Sequence, residues 1–380
     1  MDGAQLLVGF DAKRVVSNQT GLGSYGRNLV NALAHLALTA DLRLYAPDAG
    51  KEALRAQVAG HPNVAFVYPR HAWTRWQKDL WRARGVVAAL RRDGVQLYHG
   101  LSGELPSGLK RAGIPGVVTV HDLIFLRHPE FYHRMDVRLY AQKFRRTCRE
   151  ASMMIAISEC TKRDILAYSD FPAERIRVIY QGAGRYFARE ASAEEKRAVR
   201  AQYQLPERYL LYVGTVEERK NLLLAAQSLC FLPKEVSLVV VGRLTKYINK
   251  VRAFLRKNRL EARVRFLEGV PNESLPALYQ QAEVFVYPSR YEGFGLPILE
   301  ALQSGVPVVA CTGSCLEEAG GEGSLYVHPD DAEGMGAAVL RLLRGSEERA
   351  GRLAQNLAYV KHFEGLNPAQ RVWEVYQEVL

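Results

Sequence analysis

The chain has 380 residues, 48% apolar and 24% charged, with 51 Lys+Arg against 40 Asp+Glu for a formal net charge of +11. This is the profile of a folded protein of about two domains, and it excludes a disordered or fibrous chain. No apolar run approaches the roughly 20 residues that span a bilayer, and the start MDGAQLLVGFDAKR lacks the basic-then-apolar order of a signal peptide. Five scattered cysteines, an odd number, suit reduced thiols in the cytoplasm.

Along the first half, short apolar runs predict strands at 6–10, 42–46, 64–68, 95–98, 116–120, 153–157 and 177–180. Helical periodicity falls between them, near 25–36, 75–92, 138–150 and 160–168. The rhythm lapses at 187–206, a charged stretch ending at Pro206 that reads as a linker. A second series predicts strands at 209–213, 237–241, 264–267, 284–287 and 306–310, with helices near 221–230, 246–258, 274–280 and 296–304. Helical sequence closes the chain from Ala332 onward. Strands alternating with helices give an α/β protein of two tandem, doubly wound, Rossmann-like domains facing a cleft. The boundaries expected are 1–186 on the acceptor side, 187–206 as linker, 207–364 for the donor, and 365–380 as a terminal helix packing back on the first domain.

The charge is lopsided. Residues 1–190 hold 28 Lys+Arg against 17 Asp+Glu, whereas residues 191–380 hold 23 of each. A one-sided field concentrates acidic partners: nucleic acid, anionic lipid or a phosphorylated substrate. Within that half, Trp73, Trp76, Leu80 and Trp81 read as one apolar helical face with Arg75, Lys78, Arg82 and Arg84 opposite. That pattern suits either an anionic membrane surface or tryptophans packed into the first domain. Nucleic-acid binding is not expected, because neither base-stacking aromatics on a basic sheet nor a recognition helix is evident.

Gly21-Leu22-Gly23-Ser-Tyr25-Gly26 matches G-x-G-x-x-G and raises a nicotinamide-dependent oxidoreductase as one reading. Ten residues separate it from the first strand, however, which favours a glycine loop opening a helix near Tyr25 with its amides toward an anion. Farther on, a strand runs into Gly214, and Arg219 and Lys220 follow at a helix start. Cations there suit a diphosphate, Arg as a planar fork and Lys as a point charge. The segment Tyr287-Pro-Ser-Arg-Tyr-Glu292-Gly293-Phe294-Gly295-Leu296-Pro-Ile-Leu-Glu300 ends a strand, turns on Gly-Phe-Gly and enters a helix. Its two carboxylates could be a hydrolase pair, but beside an Arg-Lys clamp they favour transfer from an activated phosphate donor. Neither His128 and His133 nor Cys311 and Cys315 have a metal-ligand pattern, so no metal is expected.

Together the Glu292–Glu300 E-x7-E element, Gly-Thr-Val-Glu-Glu-Arg-Lys-Asn, Thr-Gly-Leu-Gly-Ser-Tyr and Val-His121-Asp122 resemble the family 4 (group 1) retaining glycosyltransferases of GT-B fold. The resemblance runs in order from about residue 5 to 335. It implies that Gly21, Leu22, Gly23, Gly214, Gly293, Phe294, Gly295 and Leu296 line the donor, and that Arg219 and Lys220 neutralise the leaving diphosphate. Glu292 would hold the sugar's hydroxyls and Glu300 the ribose; Tyr25, His121 and Asp122 would meet the acceptor, with His121 beside the reacting sugar. The family's usual Ser-Leu-Pro-Glu is replaced here by Ser314-Cys-Leu-Glu-Glu318. By this resemblance the donor is a nucleoside-diphosphate sugar, GDP-mannose foremost, with no further cofactor. The acceptor is a glycan or lipid-linked molecule in surface polysaccharide or lipopolysaccharide synthesis, at the inner face of a membrane. A catalytically silent sugar-nucleotide or glycan-binding subunit is the non-enzymatic alternative.

Overall fold

The computed structural model of the chain describes residues 6–38, 40–70, 74–182 and 185–380. They form two compact units, one from residues up to Tyr180 together with Asn367–Leu380, the other Gln181–Leu366. The first unit carries seven strands: β1 (Leu6–Asp11), β2 (Ala40–Tyr45), β3 (Val64–Val67), β4 (Leu97–Gly100), β5 (Gly116–Val120), β6 (Met153–Ala156) and β7 (Ile176–Val178). They pair in the order β3-β2-β1-β4-β5-β6-β7, every pair parallel. Chain order reverses between β1 and β4, the place where open α/β sheets receive ligands beyond their strand ends.

Helices cover both faces, and so the central strands are apolar throughout rather than alternating. Val8 and Phe10 of β1 are fully buried beneath Val30 and Leu33 of the Gly21–Leu36 helix. The Pro368–Val379 helix seats Ala369, Val372, Val375 and Tyr376 in the same cluster, a stripe at helical spacing. One polar thread runs through this core. Tyr376 OH meets His99 Nδ1 at 2.6 Å, His99 Nε2 meets Thr119 Oγ1 at 2.9 Å, and Thr119 Oγ1 meets Tyr25 OH at 3.0 Å. Burial pushes the His99 ring down to about 3, so it is neutral and each nitrogen takes one role, donor or acceptor.

The second unit has β8 (Arg208–Val213), β9 (Val236–Val241), β10 (Val264–Leu267), β11 (Val284–Tyr287), β12 (Val308–Cys311) and β13 (Leu325–Val327). Their order is β10-β9-β8-β11-β12-β13, again parallel, with the reversal between β8 and β11. Two features depart from the sequence reading. The stretch expected as linker contains the Ala193–Tyr203 helix, where Ser192 Oγ accepts from Glu195 N and Glu195 Oε2 accepts from Ser192 N. That reciprocal cap satisfies two otherwise orphaned amides, so the charged segment folds as a helix of the second unit instead of remaining open chain. The three-residue β13, too short to give a periodic signal, was not anticipated.

The His99 thread yields a stability prediction. Tyr376→Phe removes one hydroxyl and leaves a buried imidazole nitrogen unpaired, which costs about 1–3 kcal/mol. Urea unfolding should show a lower midpoint with an unchanged slope; an unchanged midpoint would mean the bond contributes nothing.

Candidate active site

In the second unit the candidate residues gather beyond β8 and β11. After Val213 the chain passes Gly214 and makes a single 3-10 turn over Glu218–Lys220 before the Leu222–Ser228 helix. From β11 it passes Ser289 and Glu292 and enters the Leu296–Gln303 helix, with Pro297 in its first turn. Gly295 caps that helix at φ +116°, a conformation that disfavours any side chain, and a Cβ there would lie 3.2 Å from Ala319 and Leu316. A main-chain bond from Arg290 N to Arg219 O, 2.8 Å, ties the two segments together.

At their junction lies the Glu292 carboxylate. Its Oε1 accepts from Lys220 Nζ at 2.9 Å, Ser289 Oγ at 2.9 Å and Tyr287 OH at 3.1 Å; its Oε2 lies 2.7 Å from the Arg219 guanidinium. Arg219 also bonds Glu217 at 2.7 Å and the Tyr291 carbonyl at 2.6 Å, and Lys220 donates to Tyr287 OH at 3.0 Å. Burial alone would push the Glu292 carboxyl up. Lys220 and Arg219 outweigh it and hold the group at about 2. Glu300, one turn into its helix, has no cation beside it among the described residues; burial lifts it to about 7 against the bond it accepts from Tyr279 OH at 2.9 Å. The two carboxylates of the E-x7-E element are thus opposite in state near neutrality, one fixed as an anion and one able to titrate.

Around them, Phe294 is buried against Phe363 at a 5.8 Å ring separation, while Gly214, Gly293 and Leu296 remain part-exposed. Cys315 is buried and donates to the carbonyls of Phe294 at 2.8 Å and Glu292 at 3.1 Å. In this chain a thiol therefore holds the Gly-Phe-Gly turn from the segment that replaces the usual Ser-Leu-Pro-Glu.

In the first unit, Gly21, Leu22 and Gly23 do not form a loop. They are the first turn of the Gly21–Leu36 helix, behind a short Lys13–Ser17 helix that fills the ten-residue gap after β1. The first amides of a helix lack an acceptor one full turn back. Gly23 N is shared between the Thr20 carbonyl at 3.0 Å and Asn18 Oδ1 at 3.3 Å. Gly23 is required by closeness: a Cβ would come within 1.9 Å of the Asn18 carbonyl. Tyr25 stacks its ring edge-to-face on His121 at 4.7 Å. His121 Nε2 donates to the Leu101 carbonyl at 2.9 Å, and burial pushes the ring down to about 4, so at neutral pH it carries its one proton on Nε2. Asp122 Oδ1 accepts from Ile124 N at 3.2 Å and turns the chain after β5. His121 and Asp122 line a pocket of about 180 Å³ with Leu22 and Arg14.

The aromatic-basic segment needs correction. Trp73 lies outside the described residues. A π-helical turn at Trp81–Gly85 shifts the register after the Arg75–Leu80 helix, so the expected single apolar face divides. Trp81 is buried in the core, while Trp76 and Leu80 are 64% and 49% exposed. Arg82 is not a solvated cation either: it bridges Asp11 and Glu104. Among the described residues no helix is long and apolar enough to cross a membrane.

Two family models match the chain, Glycosyltransferase Family 4 over residues 20–183 and Glycosyl transferases group 1 over residues 207–345. O-antigen chain mannosyltransferase B of Escherichia coli is 30% identical over 371 residues, 94% of this chain and 96% of the relative. The chain belongs to the family 4, group 1 glycosyltransferases. O-antigen chain mannosyltransferase RfbU of Salmonella typhimurium is 26% identical over 256 residues, 67% of each chain. The structure of Anabaena HepE in complex with UDP and glucose superimposes with a TM-score of 0.76 at 18% identity, covering 99% of this glycosyltransferase and all of HepE. The fold is GT-B. The oxidoreductase reading falls with it, since the G-x-G-x-x-G lies inside a helix and not in the turn leaving β1.

Tyr287, Ser289 and Glu217 were not singled out in the sequence, though all three hold the Glu292–Arg219–Lys220 cluster. Ser289 is the one residue with an advance signal, a short hydroxyl three positions before the acid. His99 and Thr119, behind Tyr25, could have been found as polar residues in otherwise apolar strands.

The cluster has a signed pH consequence. A carboxyl held at about 2 in the fold, against about 4.3 unfolded, contributes stability that is present above pH ~4.5 and is lost as pH falls toward 2. Glu292→Gln should therefore lower stability at pH 7 by on the order of 3 kcal/mol, with the deficit reduced to about half by pH 3 and closing only below about pH 2. Thermal denaturation of both proteins across that range tests it. A deficit constant with pH would show that the carboxylate's charge is not what holds the cluster.

Proposed function

We propose that this glycosyltransferase is a retaining mannosyltransferase that uses a nucleoside-diphosphate sugar, GDP-mannose foremost. Its acceptor is a glycan or lipid-linked molecule in surface polysaccharide or lipopolysaccharide synthesis, at the inner face of a membrane. The observation that carries the reading is the Arg219–Lys220 pair held on Glu292 at the β8/β11 reversal. Two fixed cations in a largely buried site suit the charge that appears on a departing diphosphate. The mannosyltransferase relatives support the choice of sugar, and the UDP of HepE supports a nucleotide donor.

In this reading the bond between the sugar's anomeric carbon and the diphosphate oxygen breaks, and its electron pair leaves with the phosphate. Arg219 and Lys220 meet that charge, in the role a divalent metal fills elsewhere, and they are worth more in the transition state than in the ground state. The acceptor hydroxyl forms the new bond on the face the diphosphate vacates, and its proton passes to the departing phosphate oxygen. Glu292 keeps the two cations aimed and offers an acceptor to the sugar's hydroxyls. Glu300 accepts from the ribose, better as its carboxyl ionises through about 7. The neutral His121 ring is placed beside the reacting sugar by the family resemblance. The amides of Gly21 and Leu22 lie at the positive end of their helix and suit the donor phosphates.

Incubation with GDP-mannose and a mannose-terminated oligosaccharide, followed by proton NMR of the new linkage, tests the reading. An α-linked product from the α-linked donor is expected, with Lys220→Ala reducing kcat/KM at least 100-fold. A β-linked product would refute retention, and intact donor under every acceptor tried would favour the silent binding subunit.

A further inference from the structure

Glu292 meets Arg219 and Lys220 together only while its own backbone points the carboxylate at both, and each of the two peptide units that flank it is held by a side chain. On its amino side, the Tyr291 carbonyl accepts from Arg219 at 2.6 Å. On its other side, the carbonyl of Glu292 itself accepts from the Cys315 thiol at 3.1 Å, and the same thiol donates to the Phe294 carbonyl at 2.8 Å. Peptide units are planar, leaving two soft dihedrals between one unit and the next. With both planes held, those dihedrals are set, and the direction of the Glu292 side chain with them. In a trans unit the N–H points opposite to the C=O, so the amides of Gly293 and Gly295 turn away from the thiol.

The thiol has a firm seat for this role. Cys315 is fully buried and immediately precedes the Leu316–Gly320 helix, whose Leu316 and Ala319 lie against Gly295. Two tyrosines anchor that helix from behind: Tyr359 donates to the Glu318 carbonyl at 2.6 Å and Tyr326 to the Gly321 carbonyl at 2.7 Å. Phe363, one helical turn beyond Tyr359, packs on both Tyr359 and Phe294, at ring separations of 5.5 and 5.8 Å. The neighbouring Ser314 hydroxyl is buried and makes no hydrogen bond among the described residues, so of these two side chains it is the thiol that ties the segment to the turn. A buried cysteine ordinarily does no more than fill space as a small apolar group. Here its one S–H proton is shared between two carbonyls of the same turn.

We propose that Cys315 is a positioning residue for the diphosphate site. Acting through the Glu292 and Phe294 carbonyls, it aims the Glu292 carboxylate and thereby keeps Arg219 and Lys220 directed at the departing phosphate. The inference rests on the donor reading above and adds to it a side chain that works through the main chain.

Calorimetric titration of the full chain and of Cys315→Ala, Cys315→Ser and Cys315→Val with GDP, UDP, ADP and the corresponding monophosphates tests the proposal. For the diphosphate that wild type binds, Cys315→Ala should lose about tenfold or more in affinity, while its monophosphate, which engages the clamp less, should lose less than about threefold. Cys315→Ser keeps a donor and should bind both as wild type does. Cys315→Val fills the space without a donor and should behave as Cys315→Ala, which it replaces should the alanine variant fail to fold by circular dichroism. Unchanged diphosphate affinity in Cys315→Ala would overturn the proposal. So would equal losses of diphosphate and monophosphate, the mark of a merely structural role, or a serine variant as weak as the alanine one. Should neither Cys315→Ala nor Cys315→Val fold, the thiol would be holding the domain rather than aiming the site, and the proposal would fall. Each of these results leaves the donor reading standing, whereas a wild-type chain that binds no nucleoside diphosphate would remove that reading and the role of Cys315 with it.

Discussion

The chemistry proposed for the second unit depends on one largely buried carboxylate. Glu292 lies between Lys220 and Arg219 and is the one acid that both cations share. Removing charges from water costs several kcal/mol each, and attraction repays this only where the geometry is good and the remaining lone pairs are satisfied. Here Tyr287 and Ser289 complete the coordination of Oε1, and Glu217 and the Tyr291 carbonyl occupy further Arg219 donors. A site for a departing diphosphate must hold positive charge in place before the charge it answers exists. In the proposed reaction the Glu292 network supplies that preorganisation.

The parallel sheets put this network where it is. In each unit the strand order reverses once, and the chain beyond the two strands at that point splays to opposite faces. Segments far apart in sequence, 214–221 and 288–300, are thereby brought to one place. The first unit repeats the arrangement with different chemistry: β1 and β4 end at a cavity lined by arginine, carboxylate and exposed apolar groups. The same device thus presents a clamp of fixed cations in one unit and an amphipathic pocket in the other.

Much of this was legible in the sequence, for identifiable reasons. The strands of both sheets are buried on two faces and stand out as short apolar runs, and only the three-residue β13 escaped. Arg219, Lys220, Glu292 and Glu300 could be singled out because charge next to a glycine turn at a strand end is unusual. What escaped was partnership. Charge alone could not show that Glu292 neutralises the clamp, because the residues that close the network, Glu217 and Tyr287, look ordinary in isolation. The same holds for Arg82, which reads as a surface cation on a helical wheel and is a core ion pair once the π turn shifts it toward Asp11. Ser192 and Glu195 carried the signal for the missed helix, obscured by the charge around them.

We propose Arg219, Lys220 and Glu292 as a diphosphate site for a nucleotide sugar. Thermal-shift screening of the protein and of Lys220→Ala against GDP, UDP, ADP, their sugar conjugates and NAD(P) tests it most directly. A ligand at 100 times its dissociation constant stabilises by about 2.7 kcal/mol. One nucleoside diphosphate and its sugar conjugate should raise the melting temperature, and Lys220→Ala should abolish the shift. A shift that survives Lys220→Ala, or one given by NAD(P) alone, would contradict it.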